Sequence, residues 1–152
     1  MYSVKWFLDT NIILDIVAAE RMPFHGEAAR MIEAVAESDG EVGLLVSAGS
    51  LKDIYYILSK RDMGEEGARA VVRVLLREFE VVDVTEELAH EAAYSDEPDF
   101  EDGLIRAAAE RCRCDAIVSR DGAAFLRSAV PKMAPAEAAA SLREPPSPRQ
   151  RG

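Results

Sequence analysis

Short apolar runs alternate with longer amphipathic stretches along this chain, and that alternation limits its fold more than any other feature. Runs at residues 4–8, 41–47, 79–84 and 115–119 have the length and the Val/Ile/Leu content of buried strands. Helical spacing fills the intervals. Ala28, Met31, Ile32 and Val35 share one face of a helix over 26–37, and Ala68, Val71, Val72, Leu75 and Leu76 share one over 65–78. Further helices are expected at 10–19, 50–60 and 99–113, and from Thr85 to about 94, where Thr85 caps and Glu86 and Glu87 suit the dipole. Pro135 opens a last short one. Strand and helix in turn imply an α/β fold with a mostly parallel sheet.

With 152 residues and 49% apolar content, the chain suits one domain with a real core. The expected boundaries are a folded unit at 1–142 and a disordered tail at 143–152, where REPPSPRQRG is rich in Pro and Arg and has no apolar partner. No run reaches the ~18 to 20 apolar residues of a membrane span. The N-terminus has no secretory pattern, so the expected location is cytoplasmic. Cys112 and Cys114 are read as reduced helix-end thiols, because zinc needs more ligands and the two histidines, His25 and His90, are distant in sequence. Both histidines are read as surface residues. The net charge of -10 argues against a protein held to nucleic acid by a broad basic face, but does not exclude a nuclease, since a metal-binding acid cluster adds negative charge and a local basic rim can still hold the phosphates.

The acids carry the functional signal. Asp9 follows the first apolar run, in WFLDTNIILDIV, and is either a helix cap or a waiting cation ligand. Asp53 lies in SLKDIYYILSK, a helix apolar nearly all round, which predicts burial and a need for a partner. Asp99 and Asp102 sit three apart at a helix start, where negative charge is favourable, with Glu101 expected to face elsewhere. Asp121 follows the last run, in IVSRDGAAF, and would also suit a turn. Asp9 and Asp121 thus follow the carboxyl ends of two strands, the edge where open α/β sheets build their sites. Carboxylates gathered there would repel one another, and oxygen-only ligands suit magnesium or manganese.

In order and interval, FLDTNIILDIVAAERMPF, VSAGSLKDIYYILSK, DFEDGLIRAAAE and IVSRDGAAF resemble the motifs of the PIN domain, a metal-dependent ribonuclease family that includes VapC-type toxins. The likeness runs from about Val4 to Pro135. It implies a three-layer α/β/α sandwich around a twisted, mostly parallel sheet of four to five strands, often dimeric. It also implies hydrolysis of single-stranded RNA with Mg2+ or Mn2+. By the same resemblance Asp9, Asp102 and Asp121 match metal-binding acids, Asp99 an additional acid, and Asp53 a catalytic position where many members carry Glu. Asn11 and Ser119 match polar residues that hold the acids or the metal's water shell. Gly103 stands where Ala is frequent. For the toxin branch the resemblance implies a small antitoxin partner and a homodimer. Candidate contacts to an RNA backbone are Arg21, Lys52, Lys60, Arg61, Arg106 and Arg120.

Two other readings compete with this one. One is a PIN-like fold without catalysis, acting as an RNA-binding or scaffold module. The other is an acid-pocket phosphotransfer domain. Its dehalogenase form needs an acid where Asn11 stands, and its receiver form a Lys for which Lys132 is the nearest candidate.

Overall fold

The computed structural model describes residues 2–61 and 63–143. It contains β1 (Val4–Leu8), α1 (Thr10–Val17), α2 (Phe24–Glu37), β2 (Val42–Ser47), α3 (Ala48–Lys60), α4 (Gly64–Glu78), β3 (Glu80–Val82), α5 (Glu86–Ala93), α6 (Phe100–Arg111), β4 (Ala116–Val118), β5 (Lys132–Met133) and α7 (Pro135–Arg143). The five strands form one sheet in the order β3-β2-β1-β4-β5, and every pairing is parallel. The expected tail at 143–152 lies outside the described residues from 144 onward, and Arg143 itself closes α7.

Alternation within each strand sorts the core into two layers. Trp6 and Leu8 of β1, Val42 and Val46 of β2, and Ala116 and Val118 of β4 join one cluster with Ile12, Met31, Ile54, Leu75 and Ala138. Phe7, Leu45 and Ile117, one residue out of step, join the other with Leu88, Ile105 and Ala108. Side chains two apart point to the same face of a strand, so α1, α2, α3, α4 and α7 cover one face and α5 and α6 the other. This is the expected three-layer α/β/α sandwich.

Strand ends differ from expectation by a residue or two, and two elements are new in detail. The third strand is only Glu80–Val82, because it lies at the sheet edge and pairs on one side alone. The two-residue β5 pairs with β4 through Ile117↔Lys132 and Val118↔Met133, too short a run to announce itself by alternation.

Candidate functional site

β1 lies between β2 and β4, so the chain leaves it in opposite directions on its two sides. In a parallel sheet the loops diverge at such a point and leave a crevice beyond the carboxyl ends of the strands. Asp9 stands there. Its N–H donates to the Val118 carbonyl at 3.0 Å, an extension of the β1–β4 pairing. One carboxylate oxygen accepts from the Thr10 N–H at 2.8 Å, and the other accepts from the Ser119 hydroxyl at 2.8 Å. Asp9 is therefore the N-cap residue of α1 as well as a candidate ligand. It is only 5% exposed, and burial raises its pKa above the ordinary carboxylate value against the pull of those two hydrogen bonds.

Asp9 shares a cleft of about 300 Å3 with Thr10, Asn11, Asp53, Glu101 and Asp102. Asp102 is brought there by the first turn of α6, whose N-cap is Asp99. Its pKa is pushed up to about 7, first by burial and then by the charges of Asp9, Asp99, Asp121 and Glu97. Four acids thus act electrostatically on one carboxyl, and the described residues supply it with no paired cation.

The remaining expected ligands stand around this pair. Asp99 accepts from the Asp102 N–H at 3.1 Å and so caps α6, at the helix start where its charge is expected to be favourable. Asp121 accepts from the Ala123 and Ala124 N–H groups at 2.9 and 3.3 Å and closes the turn after β4. Both lie outside the lining of the cleft, though near enough to raise the pKa of Asp102. Ser119, 2% exposed, links the two strand ends: it donates to Asp9 and accepts from the Asp121 N–H at 3.1 Å. Asn11 lines the cleft and accepts from Arg21 at 3.5 Å.

Two expectations about the cleft wall need correction. Asp53 is not enclosed: α3 buries Leu51, Ile54 and Leu58 on one face while Tyr56 stays 63% exposed, so the helix is amphipathic. Asp53 is half-buried and pairs with Lys52 at 3.3 Å, two neighbouring side chains bending together where the helix surface is open. Glu101 does not face elsewhere. It lines the cleft beside Asp102, because the first turn of α6 opens end-on toward the crevice. His25 is half-buried rather than exposed, with Nδ1 at 2.8 Å from the Asp15 carbonyl oxygen. Arg106 is not available for substrate: it binds Asp96, Glu97, Glu110 and the Arg127 carbonyl.

One acid escaped sequence reasoning. Asp15, 1% exposed on α1, accepts from Arg21 at 2.8 Å and from Arg120 at 2.8 Å. The Arg120 guanidinium stacks over the Phe24 ring, 3.9 Å from its centroid. The spacing of Asp15, Arg21 and Phe24 in LDIVAAERMPF is the visible trace of this cluster, but Arg120 joins it from 105 residues away.

The donor set is all oxygen, which fits a hard divalent cation such as Mg2+ or Mn2+. Such a cation would offset both the burial and the carboxylate repulsion that hold up the pKa of Asp102. Among the described residues no three His, Cys, Asp or Glu side chains already stand in ligating geometry, consistent with Asp99 and Asp121 being engaged with their own backbone neighbours.

Among curated proteins, none matches the chain in sequence. Solved structures share its fold. VapC20 of Mycobacterium tuberculosis, described as a sarcin-ricin loop cleaving toxin, is 22% identical, with a TM-score of 0.62 over 77% of this chain and 90% of that one. VapBC-1 from nontypeable Haemophilus influenzae is 15% identical, with a TM-score of 0.64 over 87% and 98%. A DNA-bound VapBC from Salmonella typhimurium is 16% identical, with a TM-score of 0.62 over the same shares. The PIN domain model matches residues 5–123, a span that holds every acid discussed above, and the chain belongs to the PIN domain family.

Proposed function

We propose that this chain is a metal-dependent endoribonuclease that hydrolyses phosphodiester bonds of single-stranded RNA, and that it is the toxin of a VapBC-type pair. The observation that carries this reading is the pair Asp9 and Asp102, facing one cleft at the sheet's switch point with both carboxyl pKa values raised. Groups arranged at such cost to their own ionisation are the mark of a functional site. Membership of the PIN family and the fold shared with VapC toxins support the same conclusion.

A bound Mg2+ or Mn2+ supplies Lewis-acid polarisation of the phosphoryl oxygens and acidifies water. Asp9, Asp102 and Asp121 would hold it, with Asp99 as an additional acid. Ser119 and the Thr10 N–H fix the rotamer of Asp9, so the carboxylate is positioned before substrate arrives. Asp53, which lines the same cleft, would act on the water or the leaving oxygen in this reading, giving up its pairing with Lys52 to do so. The partner side of the reading is a small antitoxin whose peptide fills the acidic cleft, with a homodimer as the assembly.

The deciding experiment is cleavage of a mixed-sequence single-stranded RNA by purified protein in Mn2+, Mg2+ or EDTA, with Asp9→Asn in parallel. Cutting that requires metal and is lost in Asp9→Asn is the expected result. Intact RNA under every metal, from protein shown to be folded, would favour the non-catalytic RNA-binding module, a reading to which the Lys52–Asp53 pairing lends weight.

A further inference from the structure

Asp15 is a single buried anion with two cations on it. Arg120 donates through Nε to one carboxylate oxygen at 2.8 Å and through Nη2 to the other at 3.4 Å. Arg21 donates through Nε at 2.8 Å. One arginine would neutralise the carboxylate, so the cluster carries one positive charge in excess, in a chain whose net charge is -10. A guanidinium has five N–H donors, and Asp15 occupies two of those on Arg120 and one on Arg21. The side chains are 28% and 20% exposed, so their remaining donors reach solvent while their orientation is fixed from below.

The location of this surplus charge gives it meaning. Arg120 lies between Ser119, which bonds Asp9, and Asp121. Arg21 reaches Asn11, which lines the acidic cleft. Phe24 backs the Arg120 guanidinium and keeps its plane in place. Two other cations near the cleft are tied down from within: Arg106 is enclosed by its own acids, and Lys132 donates to the Asp121 and Ala124 carbonyls at 2.5 and 2.8 Å, whereas Lys52 is 81% exposed and meets only its neighbour Asp53.

We propose that Arg21 and Arg120, paired on the buried Asp15, form a subsite for a backbone phosphate of the RNA strand flanking the acidic cleft. The inference rests on the ribonuclease reading and deepens it. A strand entering an acid-lined cleft needs a fixed cation beside it, and a planar, pre-oriented guanidinium suits phosphate better than a mobile ammonium. The surplus charge is what makes binding of a polyanion compatible with so acidic a chain.

The test separates the two readings by measuring binding apart from cleavage. A fluorescein-labelled 12-nucleotide mixed-sequence RNA is titrated with the full chain in EDTA over a range of KCl, and anisotropy is read. Each phosphate contact to a single strand contributes about 0.7 to the slope of log K against log salt. Arg120→Gln and Arg21→Gln are each expected to weaken binding about tenfold at low salt and to flatten the slope by about 0.7. Arg120→Lys keeps the slope, and Arg30→Gln, which removes the same charge from the α2 face near α7, leaves it unchanged. Melting curves accompany each variant. Lower melting temperatures with an unaltered slope would assign the arginines a purely structural role and overturn the subsite. A flattening shared equally by Arg30→Gln would overturn it too, as a loss of general charge. Wild type that binds no RNA here and cuts none with Mn2+ defeats the ribonuclease reading itself. Wild type that cuts RNA while the Arg120 and Arg21 variants bind as tightly as it does defeats only the subsite.

Discussion

Asp102 carries the charge that this fold least accommodates, and its titration has a visible consequence. Its carboxyl titrates at about 7 in the folded chain against an ordinary 3.8, so the folded state holds the proton more tightly than the unfolded one. The stability it contributes is fully present below about pH 4 and is lost as pH rises through about 7. Melting temperatures of the metal-free protein should therefore fall between pH 5 and pH 8, and Asp102→Asn should flatten that fall. Thermal melts by circular dichroism across this range check it. Ser119 acts through Asp9 rather than on substrate. Ser119→Ala removes the hydroxyl that bonds Asp9 and receives the Asp121 N–H, and should cost about 1 to 2 kcal/mol of stability. RNA cleavage should drop roughly 10- to 100-fold with the fold retained, as for losses of the groups that orient metal ligands. At this scale the sequence made legible the positions of Asp9 and Asp121 at strand ends and of Asp102 in the first turn of α6, because each follows an apolar run or opens a helix. Asp15 was not legible: an acid inside an apolar helix declares its burial only through partners, and one of them is 105 residues away.

Between elements, the α5–α6 contact and the Arg106 cluster decide how the first turn of α6 is presented. Gly103 meets Ala92 so closely that a Cβ added there would lie 3.1 Å from the Ala92 Cβ and 3.2 Å from its carbonyl oxygen. The glycine therefore lets α5 and α6 approach closely, whereas from sequence it reads only as a slightly looser helix start. Gly103→Ala gains about 1 kcal/mol in helix propensity but pays an overpacking cost of about 1 to 3 kcal/mol against backbone atoms. A lower midpoint in urea is the expected outcome. Arg106 joins the loop before α6, through Asp96 and Glu97, to the loop after β4, through the Arg127 carbonyl. Glu97, 2% exposed in its side chain, also accepts from the Phe125 N–H at 3.0 Å. Arg106→Ala leaves that buried carboxylate without its cation and should destabilise the chain by about 3 kcal/mol, measurable by urea denaturation. The two loops it ties carry Asp99 and Asp121, so the same variant should also weaken Mn2+ binding in calorimetry. Helix positions were readable from 3.6-residue spacing, but these ties were not, since a loop's partners leave no period in the sequence.

For the molecule as a whole, a divalent ion bound in the acidic cleft would add to the stability of the folded state. A ligand that binds only the native state stabilises it by about 2.7 kcal/mol at 100 times its Kd, and a domain of this size gains roughly 2 to 4 °C per kcal/mol. Saturating Mn2+ should thus raise the melting temperature by roughly 5 to 10 °C at pH 8, and EDTA should reverse the gain. The layered α/β plan was legible throughout because each strand's alternation feeds two cores. The strand order was not, since nothing local tells β1 that its second neighbour is β4. That order also sets a timetable. Asp9 is made early, yet the hydroxyl that fixes it is 110 residues further along, on the far side of the β1–β4 pairing. At synthesis rates of roughly 5 to 20 residues per second, the first acid waits roughly 5 to 20 seconds for its partner. A growing chain therefore holds Asp9 without its Ser119 hydroxyl until β4 has docked beside β1, so the acid's setting is completed only when the sheet closes.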